Sequence, residues 1–190
     1  KKTGCNYLVY APESGSTETL TKIKKKIHID QLTESVLEAK RQNLVVRTNL
    51  IIGFPHETWR QILTTLMYGL KMALKGIDEV PVFIFSPYPG TEIFKDLSDA
   101  GKLNINDEYF LQLTSLNSAY LSWNVISSNP RINWRVLGLV RTFFILTNYC
   151  ISYLFYPSRI FRRLPKTHFL TGFQEGVSLV GIGMCRSGRT

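Results

Sequence analysis

The stretch NLIIGFPHET, residues 49–58, decides the fold, because it has the pattern of a buried strand that stops at a glycine and passes into a helix. The segment Leu44–Ile52, rich in valine, leucine and isoleucine, is typical of a strand in a parallel sheet. Gly53 ends the strand, and Thr58 can cap a helix over Trp59–Leu74, where apolar residues recur at helical spacing. The stretch therefore predicts a strand–turn–helix unit.

Two similar units lie on either side of it. The motif APESGS, residues 11–16, follows a predicted strand over Asn6–Ala11, and SPYPGTEIF, residues 86–94, follows a predicted strand over Val80–Phe85. The remaining helices are predicted over Glu18–Lys25, over Gln31–Gln42 with Asp30 as N-cap, and over Glu92–Ala100. This alternation implies parallel strands with right-handed crossovers, whose carboxyl ends share one ligand-binding edge.

The predicted fold class is α/β, a partial (β/α) barrel of three parallel strands with helices, followed by a helical, apolar C-terminal extension. A chain of 190 residues is shorter than the roughly 250 residues of a closed barrel. The strand–helix alternation stops at Gly101, which predicts a half-barrel domain over residues 1–103 and the extension over residues 104–190. Within the extension, residues 104–128 are predicted to be mostly helical.

The extension carries most of the net charge of +9. Residues 1–130 contain 14 basic and 13 acidic side chains, whereas residues 131–190 contain nine basic side chains and one glutamate. An apolar segment, Val136–Tyr156, contains Arg141 and Asn148 and is followed by a basic cluster at residues 159–166. The pattern favours a helix on an anionic membrane surface, contacted through residues 135–166, and a cytoplasmic protein at the inner face of the membrane. A helix packed against the barrel and a true membrane span are the alternatives.

Several polar side chains at the predicted strand ends have two interpretations. Glu13 is either a ligand contact or an exposed loop carboxylate, and Tyr88 either stacks on a ligand or covers the barrel end. Gly53 would let a planar group lie against its strand. Glu57 is better explained as a residue of a first helical turn, and His56 as a solvated side chain. No P-loop, nucleophile elbow or Cys/His metal spacing is present in the sequence.

In this order and spacing, the three motifs resemble the second half of the barrel of radical S-adenosylmethionine (SAM) enzymes. The resemblance is to the class with a cobalamin-binding domain, which has an ESGS element after its fourth strand, a G-F/L-P-G-E-T element after its fifth and a P-Y-P-G-T-E element after its sixth. It covers residues 4–103. The resemblance implies that the whole enzyme uses SAM and a [4Fe–4S] cluster, and it leaves the use of cobalamin open.

The resemblance also implies which side chains and backbone groups bind SAM. The implied cofactor-binding residues are Glu13, Ser14, Gly15, Ile51, Ile52, Gly53, Ser86 and Tyr88. The carboxylate and serine of the first motif match the position that contacts the ribose or amino group of SAM. The apolar strand end of the second motif matches the position near adenine, and Phe85–Tyr88 matches the strand edge that hydrogen-bonds adenine.

The chain departs from the family pattern at two points. His56 stands where the family usually has glycine, and the CxxxCxxC string that binds the cluster is absent. Cys5, Cys150 and Cys185 are too widely spaced to replace it, because three neighbouring thiolates must hold the cluster. The expectation is a fragment of a longer enzyme that carries the cluster upstream, inactive by itself and without metal ligands of its own.

The expected function is the SAM-binding half of a barrel whose parent enzyme modifies a small-molecule or lipid-like substrate. Two alternatives stay open: a non-catalytic, membrane-associated scaffold or binding protein, and an RNA-modifying radical SAM relative. The arginines of the extension lie among phenylalanine, leucine and isoleucine rather than polar stacking platforms. For this reason nucleic acid is not expected as a partner.

Overall fold

The computed structural model describes residues 4–107, 109–111, 113 and 128–157. Its elements follow in the order β1 (Tyr7–Glu13), α1 (Thr17–Lys22), α2 (Ile29–Arg41), β2 (Val45–Ile52), α3 (Trp59–Leu74), β3 (Val82–Ile84), α4 (Glu92–Asp99) and α5 (Trp134–Phe155). Residues 107, 109–111 and 113 are also helical, and the rest of the segment predicted to be helical before residue 128 lies outside the described residues.

The three strands form one parallel sheet in the order β1-β2-β3. Tyr7 pairs with Val45 in the first ladder, and Leu50 pairs with Val82 in the second. The register of the first ladder shifts between Tyr10 and Glu13, so β1 ends in a bulge. Helical connections join the strands, which confirms the predicted parallel α/β architecture with a C-terminal helix.

Helices cover one face of this sheet. Side chains along β2 alternate between buried and partly exposed, with the buried set facing the helices. The core between sheet and helices includes Val46, Leu50, Ile52, Ile62, Leu66, Val82, Leu137 and Phe144. In a closed barrel, the second face of the sheet would be the interior.

Helix α5 packs beside α3 and against β3 because three glycines leave room for its large side chains. A Cβ placed on each glycine would lie 2.6 to 3.0 Å from a side chain of the terminal segment. The pairs are Gly53 with Leu137, Gly69 with Phe144, and Gly76 with Tyr156. Since the partners follow the same order along both segments, α3 and α5 run parallel and both begin at the carboxyl edge of the strands.

The polar residues inside the apolar segment face the body of the protein. Arg141 is buried, and its Nε donates to the carbonyl of Val82 on the edge strand at 3.1 Å. Asn148 is buried on the same helix face. Packing of the helix against the sheet, one of the three predicted alternatives, thus explains why this face carries polar residues. On the opposite face, Phe143 and Leu154 are 72% and 78% exposed.

Within the described ranges, α5 is the one helix whose length and composition would allow it to cross a membrane. The basic cluster at residues 159–166 lies outside the described residues. The division of the chain at residue 103 stays a prediction.

Element bounds agree best with the sequence where the apolar pattern is long. Helix α3 has the predicted bounds, with Thr58 as its N-cap. Helix α2 begins at Ile29 after the N-cap His28, so Asp30 lies in its first turn and is not the predicted cap. Helix α1 ends at Lys22, three residues earlier than predicted.

Substitution of two neighbouring phenylalanines tests the seating of α5. We expect Phe144→Ala to lower the free energy of unfolding by about 3–5 kcal/mol, because it empties a packed site beside Gly69. Phe143→Ala, on the exposed face, should change it by about 0.5 kcal/mol or less. Urea unfolding followed by circular dichroism measures both values, and equal losses would contradict the packing described for α5.

Candidate functional site

The carboxyl ends of the three strands surround one cavity of about 510 Å³. This volume is within the usual range for small-molecule sites. The end of each strand contributes to the lining: Glu13 from β1, Ile51 from β2, and Phe83 and Ile84 from β3. The segment after β3 adds Phe85, Ser86 and Tyr88, and the start of α4 adds Glu92 and Ile93. Residues of all three motifs therefore lie around one cavity at the same edge of the sheet.

Glu13 has an unusual backbone conformation at the mouth of this cavity. Its φ angle is 69°, in the left-handed region, which costs a residue with a side chain about 1–2 kcal/mol. Its carboxylate is 23% exposed and lies 3.3 Å from Nζ of Lys25, which also lines the cavity. Strained residues of this kind cluster at functional sites. The bulge at the end of β1 thus places a charged pair beside the cavity.

Ser14 and Gly15 face helix α3 instead of the cavity. Ser14 is fully buried, with its Oγ 2.8 Å from Oγ1 of Thr65. A Cβ on Gly15 would lie 2.6 Å from Cβ of Tyr68. Both residues hold the loop after β1 against α3, and neither is among the residues that line the cavity.

The residues predicted on the second strand are divided between cavity and core. Ile51 lines the cavity, whereas the side chain of Ile52 is fully buried in the core. Gly53, with φ of 84°, faces Leu137 of α5, so packing explains why a side chain would not fit there. Phe54 follows the turn and lines the cavity, which the sequence interpretation missed.

Ser86 and Tyr88 both line the cavity from the segment after β3. The Oγ of Ser86 is buried and has no hydrogen-bond partner in the described part of the chain. A buried hydroxyl without a partner is costly, and a ligand that bonds to it would remove that cost. Tyr88 is 46% exposed at the mouth of the cavity.

The turn between β2 and α3 is held by Glu57. This residue is fully buried, and its carboxylate accepts hydrogen bonds from Gly53 N at 2.7 Å, Phe54 N at 3.1 Å and Thr19 Oγ1 at 3.2 Å. Burial raises the pKa of this carboxyl, and the three hydrogen bonds oppose that rise. Nδ2 of Asn129 donates to the carbonyls of Phe54 and Glu57 from the other side. The prediction that Glu57 lies in the first helical turn is wrong, because the residue precedes the N-cap Thr58 and its carboxylate binds the strand end.

His56, which was expected to be solvated, is partly buried and stacks on Phe54 with ring centroids 5.8 Å apart. Burial, together with the positive charge of Lys22, lowers the pKa of its imidazole.

A run of lysines at residues 22–26 forms part of the cavity mouth. Lys22, Lys24 and Lys25 line the cavity, and Lys24 forms an ion pair of 2.6 Å with Glu92 on the opposite side. Both partners of that pair are more than 60% exposed, so it contributes little to stability. The helical pattern predicts these lysines at the end of a helix over Glu18–Lys25, although their density of positive charge also indicates a site for an anionic ligand.

The described residues do not fit an iron–sulfur cluster. Cys5 and Cys150 are free thiols, and Cys185 lies outside the described residues. Within the described ranges, no group of three histidine, cysteine, aspartate or glutamate side chains could hold a metal ion. Three thiolates are needed to bind a [4Fe–4S] cluster with one open iron, so this part of the chain does not supply them.

No known family model matches the chain. An uncharacterized methyltransferase of Pyrococcus horikoshii is 34% identical over 95 residues, which are 50% of this chain and 20% of that protein. The tRNA-2-methylthio-N(6)-dimethylallyladenosine synthase of Bacillus mycoides is 31% identical over 110 residues, 57% of this chain and 21% of that enzyme. The synthase of the same name from Deinococcus radiodurans is 28% identical over 97 residues, 50% of this chain and 19% of that enzyme.

The chain thus spans about a fifth of the length of the curated relatives it matches. These similarities support a relationship to radical SAM enzymes at low identity, and such enzymes generally use SAM and a [4Fe–4S] cluster. The cobalamin-binding class stays a prediction.

The relatives overturn the expectation about partners. Two of them are named for their action on tRNA, so the prediction of a small-molecule or lipid-like partner, with nucleic acid not expected, is wrong. The error came from interpreting the arginines of the extension as lipid-facing. The structure buries Arg141 against the carbonyl of Val82, which removes it from that argument.

Replacement of Glu57 by glutamine tests the buried carboxylate. Because its folded-state pKa is raised above 4.5, the native state binds more protons than the unfolded state from that pH up to the raised value. The contribution of Glu57 to stability should therefore fall as the pH rises through this window. We expect the free energy of unfolding of the parent chain, minus that of Glu57→Gln, to decrease as the pH rises.

Urea unfolding at a series of pH values measures this difference. If this difference increases with pH instead, the hydrogen bonds from Gly53, Phe54 and Thr19 lower the pKa of Glu57 more than burial raises it.

Proposed function

We propose that residues 4–103 form the SAM-binding side of a radical SAM enzyme that modifies RNA. The observation that carries the proposal is the cavity at the carboxyl ends of the three strands, which is lined by Glu13, Ile51 and Ser86. The RNA substrate is inferred from the relatives named for tRNA modification.

The chemistry of the lining fits the parts of SAM. Ile51 and Phe54 offer apolar surface for a planar base, and the orphaned Oγ of Ser86 offers a hydrogen bond to it. The carboxylate of Glu13 can accept from ribose hydroxyls or from the amino group of SAM. Lys25, which lies 3.3 Å from that carboxylate, offers the positive charge that the carboxylate of SAM requires.

The remaining predicted contacts have indirect roles in this proposal. Ser14, Gly15, Ile52 and Gly53 keep the strand ends in place through α3, the core and α5. Tyr88 closes the mouth of the cavity or stacks on the bound nucleoside.

When bound beside a reducing [4Fe–4S] cluster, SAM would supply the radical chemistry typical of radical SAM enzymes. We assign the cluster to a part of the enzyme other than the described residues, since these do not fit it. The residues of this chain bind and orient SAM and shield it from water. A role for cobalamin in the whole enzyme and a cytoplasmic location stay predictions.

Isothermal titration of the chain with SAM tests the site. We expect Glu13→Gln to weaken SAM binding by about 10- to 150-fold, as lost charge-assisted hydrogen bonds contribute about 1.5–3 kcal/mol. Ser86→Ala should weaken it by about fivefold, the value of one neutral hydrogen bond.

Glu38→Gln is the matched control, because this exposed glutamate pairs with Arg41 on α2 and does not line the cavity. It should leave SAM affinity unchanged. Equal SAM affinities for all variants, or no SAM binding by the parent chain, would contradict the proposed site.

A further inference from the structure

The two helices that begin beside the cavity share a short pattern of cap, tryptophan and arginine. Helix α3 begins with Trp59 and Arg60 after the N-cap Thr58, and α5 begins with Trp134 and Arg135 after the N-cap Asn133. Both tryptophans remain partly accessible, at 36% and 38% exposure, and both arginines are exposed. Exposed apolar surface that is rimmed by polar or charged residues marks interaction sites.

The two helix starts lie next to each other at the strand ends. Leu137, in the first turn of α5, packs against Gly53, which precedes α3 by a few residues. Asn129 donates to the carbonyls of Phe54 and Glu57 and accepts from the backbone N–H of Arg131. The segment before α5 is therefore tied to the turn before α3.

The charge of this region is positive. Arg60, Arg131 and Arg135 are exposed, and neither helix has an acidic residue in its first turn. Glu57 is buried and bonded to backbone N–H groups, so it does not reach this surface. Glu18 is exposed near the start of α3, where it accepts a hydrogen bond of 2.6 Å from Gln61.

One tryptophan is already part of a stacked pair. The guanidinium carbon of Arg135 lies 5.1 Å from the centroid of the Trp134 ring, which limits the orientations available to both side chains. Aromatic rings between cations are the arrangement by which proteins hold single-stranded nucleic acid, with bases on the rings and phosphates at the cations.

We propose that Trp59, Arg60, Arg131, Trp134 and Arg135, here called the Trp-Arg surface, bind a single-stranded segment of RNA at the mouth of the cavity. The inference rests on the proposed function, since it assigns the contact surface for the proposed substrate. The surface adjoins the cavity through Phe54, which lines the cavity and whose carbonyl accepts from Asn129. RNA held there would lie at the same edge of the sheet as the proposed SAM site.

Fluorescence anisotropy with a fluorescein-labelled single-stranded RNA of about 12 nucleotides, a typical site size, tests the proposal on the full 190-residue chain. The triple variant Arg60→Gln, Arg131→Gln, Arg135→Gln should weaken binding by at least about tenfold and make the slope of log K against log[salt] shallower by about 2. Trp134→Ala should weaken binding between about 5- and 150-fold, the range for one lost stacked base.

The matched charge control is Arg41→Gln, Lys71→Gln, Lys75→Gln, which removes three exposed cations near the C-terminal ends of α2 and α3. It should change RNA affinity less than about twofold, within ordinary screened surface effects. Phe143→Ala is the matched aromatic control on α5 and should leave affinity unchanged.

The outcomes separate the Trp-Arg surface from the proposed SAM site. Equal losses in both triple variants would overturn the Trp-Arg surface, because net charge alone would then account for binding. A parent chain that binds SAM and no RNA would overturn both the surface and the RNA part of the proposed function. RNA binding lost only in the Trp-Arg variants, in a chain that does not bind SAM, would support the surface and overturn the SAM site.

Discussion

The carboxylate of Glu57 joins the end of β2 to helix α1. It accepts from the backbone of Gly53 and Phe54 at the end of β2 and from Thr19 on α1. Without it, the two backbone N–H groups would be buried and unpaired, which proteins rarely tolerate. Because these bonds hold Phe54 in place, they also position one wall of the cavity and the carbonyl groups that bind Asn129.

The seating of α5 depends on the same turn. Gly53 leaves the space that Leu137 fills, and further along α3 the absence of a side chain at Gly69 admits Phe144. The terminal helix is therefore packed on the sheet, with Arg141 bonded to the edge strand. Both helices begin at the carboxyl edge of the strands, which is why a surface formed by their first residues lies beside the cavity.

Local pattern was enough to predict the strands, the parallel topology and the bounds of α3, because each depends on hydrophobic spacing and a nearby cap. Contacts between distant segments could not be predicted in this way. Ser14 and Gly15 have the composition of a ligand loop, yet they face Thr65 and Tyr68 of α3.

The same limit explains Gly53, for which close approach of a ligand and close packing of Leu137 require the same missing side chain. The sequence alone does not distinguish them. It also does not indicate that the first residues of α3 and α5 lie together, since 75 positions separate Trp59 from Trp134.

Above all, we propose that SAM binds in the cavity between Glu13, Ile51 and Ser86. A crystal structure of the chain grown with saturating SAM tests it most directly. We expect SAM in this cavity, with its ribose or amino group at Glu13 and its base between Ile51 and Ser86. SAM bound elsewhere on the chain, or a cavity without ligand under saturating conditions, would contradict it.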